Sequence, residues 1–275
     1  MTAASTTAGG LIGLSTYAYF WRFSDRVARP MSLDDMLRDA SELGAEVFQI
    51  CDYAPLDDYS DERLAGARSL AESHGLTLEV GTRGTDPAHL LRYLEIAVAL
   101  GATLVRSMWS QGSDNPSASE NVTRLGTVLP RYEEAGVTLA LETYEQVSSV
   151  DLVALVEVIG SPNLGICLDP ANTVANLELP GDVTGRCLPH IVNWHVKDFD
   201  FSREAGWVGF SLLGAPLGAG RLDYDGMRRA IDPARRGISQ IIEHWLPWQG
   251  DGETTTRVEA EWTKNNLNYL KENNS

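Results

Sequence analysis

Four side chains able to hold a cation each close a short apolar run. Glu142 ends Val137-Thr-Leu-Ala-Leu-Glu142, Asp169 ends Leu164-Gly-Ile-Cys-Leu-Asp169, His195 ends Ile191-Val-Asn-Trp-His195, and Glu243 ends Ile238-Ser-Gln-Ile-Ile-Glu243. Each has an ordinary alternative when taken singly: Glu142 pairs with Lys197, Asp169 opens an Asp-Pro turn, His195 is a satisfied core imidazole, and Glu243 is an exposed loop start. Together, three carboxylates and an imidazole would place uncompensated negative charge at close quarters, which is costly to bury without a cation. The set therefore reads as one divalent-metal site. Hard oxygens with one nitrogen favour Mn²⁺ or Mg²⁺ with open positions for water, and admit Co²⁺ or Zn²⁺. A structural zinc usually takes four closed Cys or His ligands, so the expected site is catalytic.

Other residues near the same run ends suggest what such a site would take. Tyr17, Trp21, Trp109, Trp207 and Trp245 are candidate substrate-binding residues, because ring faces pack against the C–H faces of sugars and leave hydroxyl groups to polar neighbours. Loop packing or a subunit contact is the better account for at least half of the aromatic set, which also includes Phe20, Phe210 and Trp248. Arg22 and Arg83 would add positive charge for an acidic substrate or are simply solvated, with a minor role expected. Segment 200–220 is glycine-rich with no clear periodicity, and a long loop in a compact domain is usually a lid or binding loop, so it is expected to cover the metal site. Gly218-Ala-Gly220 offers backbone N–H groups to an anion or forms a turn, the turn being the safer reading. His244 points away from Glu243 by strand parity and is expected to be packed or solvated rather than a ligand.

Four donors meet only if rigid elements carry them to one place. Apolar runs at 11–15, 46–51, 76–80, 103–107, 137–142, 164–169, 191–195 and 238–243 read as buried parallel strands. Between them lie helical stretches. Residues 32–43 and 61–74 stop at Gly44 and Gly75, and a third helix opens at Asp86-Pro87 and ends at Leu100-Gly101. Further stretches at 119–134, 149–158, 223–231 and 256–270 fill the remaining slots, with a short candidate at 171–177. The alternation of strand and helix predicts a parallel sheet, and eight strands close an α/β single (β/α)8 TIM barrel whose chemistry sits at the carboxyl ends. A doubly wound open sheet competes, but Ser15-Thr-Tyr-Ala-Tyr-Phe-Trp-Arg22 follows the first strand where that fold would often carry a Gly-rich phosphate loop. Parity puts Thr138 and Ala140 with Glu142, Gly165 and Cys167 with Asp169, and Ile191 and Asn193 with His195. The fourth run fits less well, since Gln240 lies beside Ile242 on the face meant for the outer helices.

The chain has 275 residues, 43% of them hydrophobic, which suits one barrel domain over 11–275 after a flexible N-terminus at 1–10. A net charge of −16 argues against nucleic acid as partner. No apolar stretch approaches the length that spans a bilayer, and the start lacks a signal-peptide pattern, so no membrane partner is expected. Cys51, Cys167 and Cys187 lack Cys-x-x-Cys spacing and sit in or beside apolar runs, which points to reduced thiols and a cytoplasmic location.

Leu141-Glu142, Cys167-Leu-Asp-Pro-Ala-Asn172, Trp194-His-Val-Lys-Asp198, Pro216-Leu-Gly-Ala-Gly220 and Ile242-Glu243 resemble the motifs of the xylose-isomerase-like TIM-barrel superfamily, sugar (phosphate) isomerase/epimerase branch, over nearly the whole chain. The resemblance implies that Glu142, Asp169, His195 and Glu243 hold the metal, while Glu142 and Glu243 act as base and acid. Protons would move next to a carbonyl through a metal-bound enediolate of a sugar or keto-sugar. Asn172, a substrate-binding candidate, stands where many ketose epimerases have His, and Phe201 stands where they have Arg, so the resemblance implies a different substrate. His-x-Lys-Asp also resembles relatives that act as lyases, which would make Lys197 catalytic by neutralising a carboxylate or oxyanion, or leave it as a salt-bridge partner of a ligand. The alternative function is therefore a decarboxylase or dehydratase of a keto-sugar acid at the same metal site. The third is a non-catalytic sugar-binding barrel. The nuclease branch needs additional histidines near strands two to four, which are missing here. By analogy with other barrels, a homo-oligomer is expected.

Overall fold

In the computed structural model, which describes residues 10–274, eight parallel strands close into a barrel. They are β1 (Ile12–Ser15), β2 (Val47–Cys51), β3 (Thr77–Gly81), β4 (Leu104–Ser107), β5 (Thr138–Glu142), β6 (Leu164–Leu168), β7 (Ile191–Val196) and, after a hairpin described below, β10 (Ser239–Ile242). Around the ring β1 pairs with both β2 and β10, and β10 returns to β7, so the sheet has no edge. Each strand lies within the run read from its sequence or exceeds it by one residue. The expectation for residues 1–10 falls, Gly10 aside, outside the described residues.

Helices α1 (Leu33–Glu42), α2 (Asp61–Ser73), α3 (Pro87–Leu100), α4 (Ala118–Ala135) and α5 (Ser149–Ile159) form much of the outer layer. Their starts are chemical. Ser32 and Ser117 cap α1 and α4 in reciprocal boxes with Asp35 and Glu120, and Asp86 caps α3 ahead of Pro87. Glycines in the left-handed conformation end α3, α4 and α5. After β6 come a short turn of helix, α6 (Pro170–Thr173), and then α7 (Pro180–Cys187), which the sequence reading lacked. That helix is short, opens on Pro180 and carries Gly181 and Gly185, which together mask its periodicity. Helices α8 (Tyr224–Ile231), α9 (Pro233–Arg236) and α10 (Gly252–Asn274) complete the chain.

Two departures have clear physical causes. Gln240 does face the helical layer, where its carbonyl accepts from the Tyr224 hydroxyl at 2.7 Å and its amide donates to Asn274 at 3.1 Å, so a polar residue is satisfied on an apolar face. Segment 200–220 is not structureless: β8 (Asp198–Arg203) and β9 (Phe210–Ala215) pair antiparallel as a hairpin. Its Phe/Ser/Leu alternation supports strands although one side stays in solvent. No helix among the described residues is long and apolar enough to cross a membrane.

Candidate metal centre and catalytic cavity

The carboxyl ends of β5, β6, β7 and β10 bring Glu142, Asp169, His195 and Glu243 together inside the barrel, all buried. His195 Nδ1 lies 3.6 Å from Glu142 Oε1, 3.6 Å from Glu243 Oε1 and 3.9 Å from Asp169 Oδ2. The other ring nitrogen, Nε2, is 2.7 Å from the Gln49 side-chain oxygen, whereas Nδ1 is buried without a hydrogen-bond partner. An unpartnered nitrogen aimed at three carboxylates is what a bound cation would satisfy.

Fixed cations share the cluster. Lys197 donates from Nζ to Asp169 Oδ2 at 2.7 Å and lies 3.1 Å from Glu243 Oε2, and the Arg106 guanidinium forms an ion pair with Glu142. Asp52 and Arg83 neutralise one another in a bidentate pair at 2.9 and 3.0 Å. Three carboxylates against Arg106 and Lys197 leave one net negative charge when His195 is neutral, so a divalent ion fits the donor set and its charge. Neutral donors complete the frame: the Asn172 amide donates to Glu142 Oε1 at 2.7 Å, and the Ser15 hydroxyl donates to Glu243 Oε1 at 3.0 Å.

Burial alone would raise both glutamate pKa values, but it is overridden. Arg106 and His195 hold Glu142 below its ordinary range, while His195, Lys197 and Arg106 bring Glu243 down to about 2. At Asp169 burial wins over Lys197, and the pKa rises to about 6. Lys197 moves up despite burial because Asp169, Glu243 and Glu142 surround it. It stays an ammonium at neutral pH.

A cavity of about 50 Å³ lies over these groups, lined by Tyr17, Arg83, Arg106, Met108, Glu142, Tyr144, Asn172, Lys197, Glu243 and Trp245. The 3-10 turn after β1 supplies Tyr17, whose hydroxyl accepts from Arg83 at 2.6 Å. Trp245 lies under the Lys197 ammonium, 4.5 Å from Nζ to ring centroid. A family model described as the xylose isomerase-like TIM barrel matches residues 37–266. The chain belongs to that family. It is 49% identical over 259 residues, 94% of each chain, to the 3-oxo-isoapionate decarboxylase of Pectobacterium atrosepticum. Among solved structures it is similar to a D-psicose 3-epimerase crystallised in the presence of D-fructose, at TM-score 0.72 and 16% identity over 95% of this chain and 98% of that one. It is also similar to a xylose isomerase-like TIM barrel protein from Mycobacterium smegmatis in complex with magnesium, at TM-score 0.69 and 20% identity over 98% and 99%. At those identities the two structures show the shared fold.

Of the candidate substrate-binding residues of this xylose isomerase-like barrel, Tyr17, Arg83, Asn172 and Trp245 line the cavity, but three tryptophans do not. Trp21 borders a neighbouring apolar pocket with Phe20 and Trp245, its indole N–H donating to the Leu246 carbonyl at 2.7 Å. Trp109 is buried, its N–H given to the Pro116 carbonyl at 2.9 Å, so it packs a loop. Trp207 is 78% exposed near the hairpin tip, stacked on Arg203. Nor does the hairpin supply any residue that lines the cavity, which corrects the expected cover. His244 is buried against Trp262, as parity required. The Gly218-Ala-Gly220 amides do meet an anion, but it is the chain's own Asp198, which accepts from Gly218, Gly220 and Leu222 at 2.9–3.0 Å.

Arg106, Gln49, Met108 and Tyr144 were not singled out from sequence. Arg106 carried a signal: a charged residue amid the strand Leu104-Val105-Arg106-Ser107 must find a buried partner. Gln49 carried a similar one in Val47-Phe-Gln-Ile-Cys51.

Proposed function

We propose that this protein is a divalent-cation-dependent decarboxylase of a 3-oxo sugar acid. The observation that carries this reading is the 49% identity to a 3-oxo-isoapionate decarboxylase over 94% of both chains. A 3-oxo acid places its ketone β to the carboxylate, so breaking the bond between C1 and C2 releases CO₂ and leaves the electron pair as an enolate across C2, C3 and the ketone oxygen. One proton then adds at C2. Such a reaction asks for an electron sink and a proton, and for no base.

The site suits that demand. Glu142, Asp169, His195 and Glu243 would hold the cation, which when bound supplies positive charge to polarise the ketone. Lys197, charged and beside the cluster, would neutralise the substrate carboxylate and then the developing oxyanion. Arg83, at the mouth, would draw in the anionic acid, and Trp245 and Tyr17 would pack its carbon face. Among the groups lining the cavity, the hydroxyls of Tyr17 and Tyr144 and the ammonium of Lys197 carry exchangeable protons, and these are the candidates to reprotonate C2. Both glutamates face fixed cations, Arg106 and Lys197, which keep them ionised and disfavour either as a carrier that must gain and lose a proton each turnover.

A second reading, isomerisation or epimerisation of a ketose, is favoured by one feature. Glu142 and Glu243 stand at the carboxyl ends of β5 and β10, with β6 and β7 between them in the ring, a separation suited to reaching a substrate from two sides and moving a proton between faces. One experiment separates the two. The metal-loaded protein is incubated in D₂O with 3-oxo sugar acids and with a panel of ketoses, and followed by NMR and CO₂ detection. The decarboxylase reading expects CO₂ release from the acids, with one deuterium entering the product. Deuterium uptake by ketoses with no CO₂ from any acid would replace it with the isomerase reading.

A further inference from the structure

The barrel interior below the metal ligands carries a buried carboxylate that the proposed chemistry does not use. Glu79, on β3, accepts from the Ser239 hydroxyl at 2.5 Å, from the Gln49 amide at 2.9 Å and from the Asn193 amide at 3.1 Å. A carboxylate accepting from two amides settles which way each amide is turned, because only the NH₂ end can point at it. The Gln49 NH₂ is further occupied by Asn193 Oδ1 at 3.1 Å, so Gln49 Oε1 must face the other way. It meets His195 Nε2 at 2.7 Å and the Cys51 thiol at 2.8 Å. An amide oxygen cannot donate, so His195 Nε2 must carry the proton.

We infer that Glu79 and Gln49 act as a positioning relay: Glu79 orients Gln49, Gln49 holds the proton on His195 Nε2, and Nδ1 is thereby committed to the cation. The inference rests on the reading that His195 is a metal ligand. The relay also assigns Cys51 a place outside the ligand set, since its S–H is spent on the same Gln49 oxygen although its sulfur lies within reach of His195 and Glu243. Neither Glu79 nor Gln49 lines the catalytic cavity, so both act through His195.

The test compares wild type, Gln49→Leu and the exchanged pair Gln49→Glu with Glu79→Gln. Mn²⁺ affinity is measured by calorimetry on chelator-stripped protein, and the histidine ¹⁵N spectrum is recorded on Zn²⁺-loaded protein. Gln49→Leu is expected to weaken Mn²⁺ binding about 10–100-fold. The exchanged pair keeps an oxygen facing Nε2 and an amide–carboxylate contact beneath it, and is expected to restore affinity to within about 3-fold of wild type, a rescue that a purely space-filling role would not produce. The wild-type spectrum should show a protonated Nε2 and metal-bound Nδ1. Binding by Gln49→Leu within 2-fold of wild type, or metal on Nε2 in wild type, overturns the relay. If the substituted chains fail to fold, as judged by circular dichroism, the wild-type spectrum alone decides. Should wild type bind no divalent ion, the ligand reading falls with the relay, whereas Mn²⁺ binding with Nε2 as donor sinks the relay and spares the decarboxylase reading.

Discussion

At the residue scale, the carboxylates and the histidine were legible because each ends an apolar run, where a polar side chain has few reasons to be other than chemical. Of their cationic partners, Lys197 was legible beside His195, whereas Arg106 lies inside β4, where its partner on the adjacent β5 follows from register rather than from any local pattern. Glu142→Gln and Glu243→Gln should each lower turnover by about 100-fold or more, and a loss under 3-fold in steady-state assays would remove that residue from the machinery. His244, adjacent to Glu243 but on the opposite face, makes a contrasting prediction. Burial holds its pKa down at about 3, against about 6.5 in the unfolded chain. Between those values the unfolded state binds a proton that the folded state refuses, so this contribution to stability is complete above about pH 6.5 and declines as pH falls. Replacing His244 with Phe removes the slope. Relative to wild type, the variant should gain about 2 kcal/mol on passing from pH 7.5 to pH 5 in urea unfolding, at about 1.4 kcal/mol per pH unit over the interval below 6.5. An unchanged difference between the two pH values would show that the imidazole titrates alike in both states.

Elements whose sequence carries both period and punctuation were the readable ones. The β-branched runs, the Ser and Asp caps and the glycines in left-handed C-cap positions placed eight strands and most helices before any tertiary contact was considered. Two kinds of element escaped. Helix α7 has local signals that conflict, and the β8–β9 hairpin emerges from a glycine-rich stretch whose strands find their register only by pairing with each other. Of the tryptophans, Trp245 lines the cavity while Trp21, Trp109 and Trp207 lie away from it, because aromaticity at a strand end does not say whether the ring turns inward, packs its own loop or stands in solvent. Asp198 is where the hairpin's base is secured. Its carboxylate accepts backbone N–H groups from Phe199, Gly218, Gly220 and Leu222, and a Cβ on Gly220 would lie 2.2 Å from its Oδ1, so the turn can close only around glycine. Asp198→Ala would leave those donors without their acceptor and should destabilise the fold by about 3 kcal/mol or more, counting about 1–3 kcal/mol for each donor that water does not reach. Urea unfolding measures this, and a cost below 1 kcal/mol would mean that the loop is held by something else.

For the whole molecule, the decisive quantity is charge set against burial. The chain carries −16 overall, and at the ligand cluster Glu142, Asp169 and Glu243 outnumber Arg106 and Lys197 by one, with Glu79 buried beneath them and a histidine nitrogen left unpartnered. The barrel wall and the narrow cavity at its carboxyl end leave that residual charge little solvation, so a cation that binds only the folded state should stabilise the entire domain. At a free concentration of 100 times its Kd, one ion contributes about 2.7 kcal/mol. For a chain of this size that is a rise in Tm of about 5–10 °C, at roughly 2–4 °C for each kcal/mol. Differential scanning calorimetry of chelator-treated protein, titrated separately with Mn²⁺, Mg²⁺, Co²⁺ and Zn²⁺, reads the shift and ranks the ions. The surrounding negative charge adds a second signature: because the field attracts cations over distances that salt screens, raising ionic strength should weaken metal binding while leaving the ranking unchanged. Glu142→Gln and Glu243→Gln each remove one negative charge and one ligand, so both should shrink the shift. If none of the four ions moves the wild-type Tm, the carboxylates are neutralised by Lys197, Arg106 and a protonated His195, and the site must polarise its substrate without a metal.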